Sequence, residues 1–158
     1  MKSGVAQIIE ARAAQQMTAV RELFREYAAS LEIDLCFQGF EQELAELPGR
    51  YAPPEGRLFL AVRGCEILGC VGVRKIAKDT CEMKRLFLRP SFRGTGMGRA
   101  LATRAVEAAR MIGYGRMRLD TLASMKEAIA LYESLGFHRI EAYYDNPSDC
   151  AIFMELRL

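Results

Sequence analysis

The chain has 158 residues, with 22 Lys and Arg against 20 Asp and Glu, so its formal net charge is +2. Hydrophobic residues make up 51% of it and charged residues 27%, which is typical of a globular domain and excludes a disordered or low-complexity chain. The length predicts a single domain over residues 1–158, large enough to bury a core without a metal or a disulfide. Because the longest apolar run covers residues 58–62, no membrane-spanning segment is predicted.

The first half of the sequence predicts one strand, two helices and a hairpin. Apolar residues at helical spacing run from Ala14 to Leu31, and a shorter helix ends at Pro48-Gly49. Two strand-like runs then meet at Gly64, which is typical of a hairpin. The predicted elements are a strand at 5–10, helices at 14–31 and 40–47, and strands at 57–63 and 66–75.

The second half alternates strands with helices and ends in another hairpin. Ser124 is a candidate N-cap for the last helix because Glu127 stands three residues later, the spacing of a capping box. The predicted elements are strands at 81–88, 116–122, 137–142 and 150–156, and helices at 96–112 and 124–135. This order predicts an α+β fold in which about seven strands form a largely antiparallel sheet with about four helices on its faces.

The cysteines and the histidine do not predict a metal site. The five cysteines show no Cys-x-x-Cys spacing and His138 is the one histidine, whereas zinc sites need closely spaced Cys and His pairs. The N-terminus also has no apolar core typical of a signal peptide. Reduced thiols in a cytoplasmic protein are therefore the simplest interpretation.

Positive charge is concentrated in one segment. Residues 84–118 contain nine basic residues and one acid, Glu107, whereas the other 123 residues hold 13 basic and 19 acidic residues. This asymmetry predicts an anion site, and a solvated basic helix face is the alternative.

A glycine-rich turn lies within the basic segment, where a predicted strand ends and a helix begins. Its sequence is Arg93-Gly94-Thr95-Gly96-Met97-Gly98-Arg99. Glycines tolerate a positive φ and let backbone N–H groups converge, and the helix start adds unpaired N–H groups and the positive end of the helix dipole. With the two arginines these groups predict a pyrophosphate site, whereas an ordinary strand-to-helix turn needs about one glycine.

Two other phosphate-binding motifs fit this turn less well. A P-loop would end in Gly-Lys-Ser or Gly-Lys-Thr, and a dinucleotide-binding fingerprint would place its third glycine one residue later. Asp120 stands where a ribose-binding acid would lie, but the sequence has one β-α-β unit instead of the repeated parallel units of that fold. A nucleotide-binding domain therefore stays a minor rival.

The glycine turn resembles the Arg/Gln-x-x-Gly-x-Gly/Ala signature of the GNAT superfamily of acetyltransferases. Residues 82–90, Glu-Met-Lys-Arg-Leu-Phe-Leu-Arg-Pro, resemble the fourth strand of that family, and residues 128–137 resemble the motif that follows. The order of the elements also matches, so the resemblance covers nearly the whole chain. It implies the fold of the family, with a sheet splayed at its fourth strand, and acetyl-CoA as the acetyl donor.

The resemblance also implies how acetyl-CoA binds. The glycine turn would hold the pyrophosphate, and backbone groups of the fourth strand, freed by a β-bulge, would pair with the pantetheine arm as if it were an added strand. One departure is Met125, at a position where the family often has Asn. The implied cofactor-binding residues are Leu86, Phe87, Leu88, Arg93, Gly94, Thr95, Gly96, Met97, Gly98 and Arg99.

Two residues are candidates for the chemistry, because acetyl transfer to an amine needs a neutral nitrogen and a proton for the leaving thiolate. Tyr132 aligns with the tyrosine that many family members use as a general acid, and a packed aromatic ring is the alternative. Glu82 occupies the position where some members place a catalytic glutamate. Its alternatives are a surface ion pair with Lys84 or Arg85, and a water molecule as the base.

The acceptor is less well specified by the sequence. In the fold that the resemblance implies, it lies between the first two helices and the last hairpin, so the candidate substrate-binding residues are Phe37, Tyr143 and Tyr144. Residues 1–56 hold nine acids and five bases, which favours a cationic amine of a small molecule or a protein.

The leading hypothesis is an acetyl-CoA-dependent N-acetyltransferase that works by direct transfer. Its main alternative is a non-catalytic acyl-CoA sensor or interaction module. Nucleic acid is not expected as a partner, because the arginines cluster around a glycine turn and not along an extended face with aromatic residues. No membrane partner is expected, and the resemblance is compatible with a homodimer.

Overall fold

The computed structural model describes residues 4–31, 35 and 39–158, and in these ranges it contains seven strands and four helices. The strands are β1 (Gln7–Glu10), β2 (Arg57–Arg63), β3 (Glu66–Ala77), β4 (Thr80–Leu88), β5 (Arg116–Leu122), β6 (His138–Ile140) and β7 (Ala151–Arg157). The helices are α1 (Ala14–Ser30), α2 (Phe40–Glu46), α3 (Met97–Ile112) and α4 (Lys126–Ser134). This order confirms the predicted one, with short 3₁₀ turns added at Gly49–Tyr51 and Pro90–Phe92.

The seven strands of the described chain form one sheet in the order β1-β2-β3-β4-β5-β7-β6. Neighbouring strands run antiparallel except β4 and β5, which are parallel because α3 connects them. The predicted α+β class with a largely antiparallel sheet is confirmed.

Each face of the sheet buries its own hydrophobic cluster. Along β2 the side chains alternate, so that Phe59 packs with α3 on one face and Leu58 and Leu60 pack with α1 and α2 on the other. On β4, Met83 belongs to the α3 cluster, and the period of two therefore directs its neighbour Lys84 to the opposite face. We call that opposite side the α1 face.

The sheet is splayed beside β4, as the resemblance implies. β4 pairs with β5 over Thr80–Glu82 and Arg116–Arg118, and the two strands have no further paired residues among those described. The second half of β4 therefore has an edge that β5 does not use. That edge remains available to another hydrogen-bonding chain.

A β-bulge lies shortly after Glu82, the last residue of β4 that pairs with β5. Cys70 is opposite Phe87 and Gly72 is opposite Lys84, so Arg85 and Leu86 together face a single residue of β3. Arg85 has a φ of +59°, in the left-handed region that non-glycine residues rarely adopt. The bulge changes which face the later side chains of β4 occupy, so Phe87 lies in the cluster with α1.

Several element boundaries differ from the prediction by one or two residues. The N-cap of α4 is Met125 and not Ser124, because the Met125 N–H bonds to the Leu122 carbonyl (2.9 Å) and starts the helix one residue later. β1 begins at Gln7 and not at residue 5, β6 is shorter than predicted, and β7 has the predicted length but starts one residue later, at Ala151. Within the described ranges, no helix combines the length and apolar character needed to cross a membrane.

Candidate active site

The glycine turn between β4 and α3 has the backbone geometry that its sequence predicts. Gly94 and Gly96 have φ values of +78° and +86°, and Gly96 is the N-cap of α3. The Thr95 hydroxyl donates a hydrogen bond to the Phe92 carbonyl (2.7 Å), which holds the turn closed. The first N–H groups of α3 have no helical carbonyl partner, as at any helix start, so the turn presents backbone donors to an anion.

A cleft of about 710 Å³ runs from the glycine turn to Tyr132, a size typical of ligand-binding pockets. Its walls come from the second half of β4, the glycine turn, the end of α1 and the start of α4. The predicted cofactor-binding residues that line it are Leu86, Phe87, Leu88, Arg93, Gly94, Gly96, Gly98 and Arg99. Of the remaining two, Thr95 closes the turn and Met97 packs against the α3 cluster.

Cations outnumber anions along this cleft. Arg93, Arg99 and Lys126 line it with one acid, Glu127. The Arg93 Nε donates to the Leu88 carbonyl (2.9 Å), and a guanidinium N–H of Arg99 reaches the Ser134 hydroxyl oxygen (2.7 Å). Both arginines are thus held at the mouth of the cleft while they remain exposed.

Much of the basic segment lies away from this cleft. Three of its cations instead form ion pairs on the α1 face, and a fourth reaches α1. These pairs are Lys84–Asp120, Arg85–Glu43, Arg118–Glu155 and Arg89–Glu26. The predicted anion site therefore consists of the glycine turn and its two flanking arginines. The total charge of residues 84–118 is larger than the positive charge that lines the cleft.

Tyr132 lies on α4 at the inner end of the cleft. Its side chain is almost buried, and its ring packs edge-on against Phe137, with 5.8 Å between ring centroids. Burial raises the pKa of the Tyr132 hydroxyl, and the nearby Tyr27 and Asp120 raise it further. The hydroxyl therefore keeps its proton at neutral pH, as a general acid requires.

A second cavity continues from the cleft into the splay between β4 and β5, and we call it the inner cavity. Tyr27 and Tyr132 line both spaces, together with apolar side chains such as Leu86. The polar wall of the inner cavity includes Lys84 and Asp120. The inner cavity has a volume of only about 30 Å³, which is room for little more than water, and it lies beside the inner end of the cleft.

Three buried carboxylates on the α1 face share one arrangement. Each accepts hydrogen bonds from one cation and from one tyrosine hydroxyl, and Arg74 also lies 3.9 Å from the Glu43 carboxylate. The groups are Glu43 with Arg85 (2.8 Å) and Tyr51 (2.8 Å), Glu82 with Arg74 (2.9 Å) and Tyr143 (2.5 Å), and Asp120 with Lys84 (3.1 Å) and Tyr144 (2.7 Å). The charges in each group balance, which is what burial of ionised groups demands.

Glu82 is the middle one of these carboxylates and is 2% exposed. The expected alternative, a surface ion pair with Lys84 or Arg85, is wrong, because Arg74 on the neighbouring strand is its partner. Both carboxylate oxygens are engaged, one by Arg74 and the other by Tyr143. Glu82 does not line the inner cavity, so its role as a base stays a prediction.

Two of the three candidate acceptor residues can be placed. Tyr143 and Tyr144 follow β6 and pack against each other and against Phe153 of β7, with ring centroids 5.2–5.4 Å apart. Their hydroxyls are bonded to the carboxylates of Glu82 and Asp120, so the last hairpin is anchored to the α1 face of the sheet. Phe37 lies outside the described residues.

Sequence reasoning missed Lys84 and Tyr27 as residues of the site and gave Asp120 a role only in the nucleotide-binding alternative. Charged residues inside the predicted strand at 81–88 were a usable signal, since charges that a strand buries need a partner or a ligand. The parallel pairing of β4 with β5, which brings Lys84 to Asp120, is not visible in the sequence.

Comparisons with known proteins identify the family of this chain. The sequence profile of the acetyltransferase (GNAT) family matches residues 17–137. An uncharacterised N-acetyltransferase of Schizosaccharomyces pombe is 35% identical over 160 residues, covering 100% of this chain and 98% of that protein. The chain therefore belongs to the GNAT acetyltransferase family, which makes it an acyltransferase by class.

Solved structures share the fold at lower sequence identity. An acetyltransferase of Streptococcus agalactiae aligns with a TM-score of 0.79 at 23% identity, covering 97% of this chain and 98% of that one. The yncA acetyltransferase of Salmonella typhimurium, described with its cofactor acetyl-CoA, aligns with a TM-score of 0.70 at 18% identity, covering 96% and 93%. These likenesses support the GNAT fold.

Proposed function

We propose that this protein is an acetyl-CoA-dependent N-acetyltransferase that moves an acetyl group directly to a primary amine of a small molecule or a protein. The observation that carries the proposal is one continuous cleft, because it joins the glycine turn, the second half of β4 and Tyr132. The N-acetyltransferase name of the S. pombe relative and the acetyl-CoA cofactor of yncA support it.

The residues of the cleft fit acetyl-CoA. The glycine turn offers converging N–H groups and two arginines to a pyrophosphate, and beyond the adjoining backbone no atom lies within 4 Å of a Cβ built on Gly94, Gly96 or Gly98. The edge of β4 that β5 does not use can accept a hydrogen-bonded arm beside Leu86 and Leu88. Acetyl-CoA, when bound, supplies an acetyl thioester to the inner end of the cleft.

Tyr132 is proposed as the general acid. Transfer forms a bond between the acceptor nitrogen and the acetyl carbonyl carbon while the carbon–sulfur bond breaks, so the nitrogen loses protons and the sulfur gains one. The protonated, almost buried Tyr132 hydroxyl donates that proton to the sulfur and recovers one from solvent or from the acceptor. Overall, one proton of the starting ammonium is released to solvent.

Glu82 is proposed as the base, acting through other groups. Its carboxylate is 2% exposed and accepts the hydrogen bond of Tyr143, so it reaches the acceptor nitrogen only through that hydroxyl or through water. A water chain that carries the proton to solvent without Glu82 is the alternative. Neither route needs a covalent acyl-enzyme.

Ligand-induced stabilisation and amine-dependent thiol release together test the proposal. At about 100 times its Kd, acetyl-CoA should stabilise the fold by about 2.7 kcal/mol, seen as a raised melting temperature, whereas NAD and ATP should not. A panel of primary amines should then release free thiol from acetyl-CoA. Stabilisation by NAD or ATP alone would contradict the cofactor assignment, and tight acetyl-CoA binding without thiol release would favour the sensor.

Replacing Gly96 with Ala should weaken acetyl-CoA binding by about tenfold, because a left-handed φ costs a non-glycine residue about 1–2 kcal/mol and the turn would relax out of its anion-binding form. Calorimetric titration of acetyl-CoA measures the change. Gly113→Ala is the matched control, since Gly113 has a φ of +110° at the opposite end of α3. Equal loss of affinity in both variants would contradict the role of the turn.

A further inference from the structure

The cleft and the inner cavity meet at one set of mostly apolar side chains. Among the described residues, those that line both spaces are Tyr27, Leu31, Leu86, Leu122, Met125 and Tyr132. Because Tyr132 is the proposed proton donor to the leaving sulfur, the sulfur of a bound thioester has to lie at this junction. The acyl group attached to that sulfur therefore borders the inner cavity.

The inner cavity is very small compared with the cleft. Its volume is about 30 Å³, whereas that of the cleft is about 710 Å³. One water molecule needs about 10–15 Å³ of such space, so the inner cavity has room for about two groups of that size. The methyl group of an acetyl thioester and the ethyl group of a propionyl thioester stay within this limit. The propyl group of a butyryl thioester exceeds it.

Met125 closes the junction from the start of α4, and two contacts hold it there. Its backbone N–H bonds to the Leu122 carbonyl (2.9 Å), and the Thr121 hydroxyl donates a hydrogen bond to its sulfur (3.6 Å). A methionine side chain is flexible when nothing restrains it, so these contacts matter for the shape of the wall. They keep the thioether where the cleft and the inner cavity join.

The charged side of the inner cavity is held in place by ion pairs. The Lys84 Nζ lies 3.1 Å from the Asp120 carboxylate. The Arg85 guanidinium lies 2.8 Å from the Glu43 carboxylate. Moving either pair apart to admit a longer chain would leave buried charges without partners, which is strongly destabilising. The inner cavity therefore does not widen readily on this side.

We infer that the inner cavity is an acyl pocket that limits the donor to acetyl-CoA and propionyl-CoA, and that Met125 and Leu122 set this limit. The inference rests on the proposed function, since it takes the thioester sulfur to lie beside Tyr132. A longer acyl chain overpacks a wall that is restrained on both sides, and overpacking is destabilising. Met125 and Leu122 are therefore specificity-determining residues for the donor.

Acyl-CoA donors of increasing length test the inference. Acetyl-CoA, propionyl-CoA and butyryl-CoA are compared by thiol release with one saturating amine. The kcat/KM of butyryl-CoA should be at least about tenfold below that of acetyl-CoA, because one methylene group changes discrimination by an apolar pocket by about 10–200-fold. Propionyl-CoA should stay within about fivefold of acetyl-CoA on the same scale. Calorimetric titration without an amine should show butyryl-CoA binding at least about tenfold more weakly than acetyl-CoA.

Met125→Ala links the limit to this wall. Removal of the thioether enlarges the junction, so the ratio of kcat/KM for butyryl-CoA to that for acetyl-CoA should rise by at least about tenfold. Met111→Ala is the matched control, since Met111 is 88% exposed on α3 and lines neither space. Met125 is only half-buried, so its variant is expected to fold. If it does not, Leu122→Ala makes the same comparison from β5.

The outcomes separate this inference from the proposed function. Butyryl-CoA that reacts and binds as well as acetyl-CoA overturns the acyl limit and leaves the N-acetyltransferase proposal intact. A limit that is unchanged in both Met125→Ala and Leu122→Ala overturns the assignment to these two residues. Acetyl-CoA binding without thiol release from any amine contradicts the proposed function, and the calorimetric comparison of the donors still tests the limit.

Discussion

Glu43→Ala should lower the free energy of unfolding by about 3–5 kcal/mol, because it leaves the guanidinium of Arg85 buried without its anion. Arg85 is 4% exposed, and Glu43 takes two of its hydrogen bonds while Tyr51 donates a third bond to the same carboxylate. Burial would raise the pKa of Glu43, but the hydrogen bonds and charge of Arg85 lower it, so the carboxylate is an anion in the folded protein. Urea denaturation measures the loss.

Glu46→Ala is the matched control for this variant. Glu46 lies on the same helix, is exposed and accepts one hydrogen bond from Gln42, so its loss should change stability by no more than about 0.5 kcal/mol. A double variant, Glu43→Ala/Arg85→Met, removes both charges and should recover part of the loss. If Glu43→Ala costs less than about 1 kcal/mol, the pair behaves as a surface ion pair and does not hold the bulge.

The arrangement around Arg85 explains why the bulge persists. A non-glycine residue in the left-handed region is strained by about 1–2 kcal/mol, so another interaction has to hold it there. The contacts with Glu43 and Phe40 do this from α2. They also hold the part of β4 that lines the inner cavity, where Leu86 borders both that cavity and the cleft. The part of β4 that forms this wall is therefore stabilised by α2, whose residues Glu43 and Phe40 lie outside the cleft.

Local sequence signals predicted most of the fold. The helical spacing of Val20, Phe24 and Tyr27 and the alternation in β2 are one-dimensional patterns, so the sequence displays them directly. The sequence placed the N-cap of α4 one residue too early. A Ser with a Glu three residues later caps a helix only if the helix begins directly after that Ser. The Leu122–Met125 turn delays that point by one residue.

The two halves of the site differ in how far the sequence predicts them. The glycine turn is contiguous, so its phosphate-binding geometry follows from glycine chemistry and a helix start. The inner cavity joins residues of α1, β4 and β5, and its charges meet only because Lys84 and Asp120 point to the same face of neighbouring strands. Strand pairing between distant segments decides this, and no local pattern in one sequence encodes it.

Tyr132→Phe should lower kcat by about 10²–10⁴-fold, because the hydroxyl is needed to protonate the leaving sulfur. The Kd of acetyl-CoA should change by less than about threefold, because the phenylalanine ring still lines the cleft. Its raised pKa keeps the proton available across the neutral range. Steady-state thiol release with a saturating amine gives kcat, and calorimetry gives the Kd. Tyr114→Phe is the control, because it removes a tyrosine hydroxyl that donates to the Glu55 carbonyl (2.6 Å). Neither Tyr114 nor Glu55 lines the cleft or the inner cavity.

Tyr27 is a second candidate for the general acid. It also lines both the cleft and the inner cavity, and burial raises its pKa to about 12, so its hydroxyl is a second protonated donor at the same junction. Because the two tyrosines differ in position and not in protonation state, only a comparison of the two Phe variants assigns the acid. Loss of turnover in Tyr27→Phe with normal turnover in Tyr132→Phe would move the role to α1. Normal turnover in both variants would mean that solvent protonates the leaving sulfur.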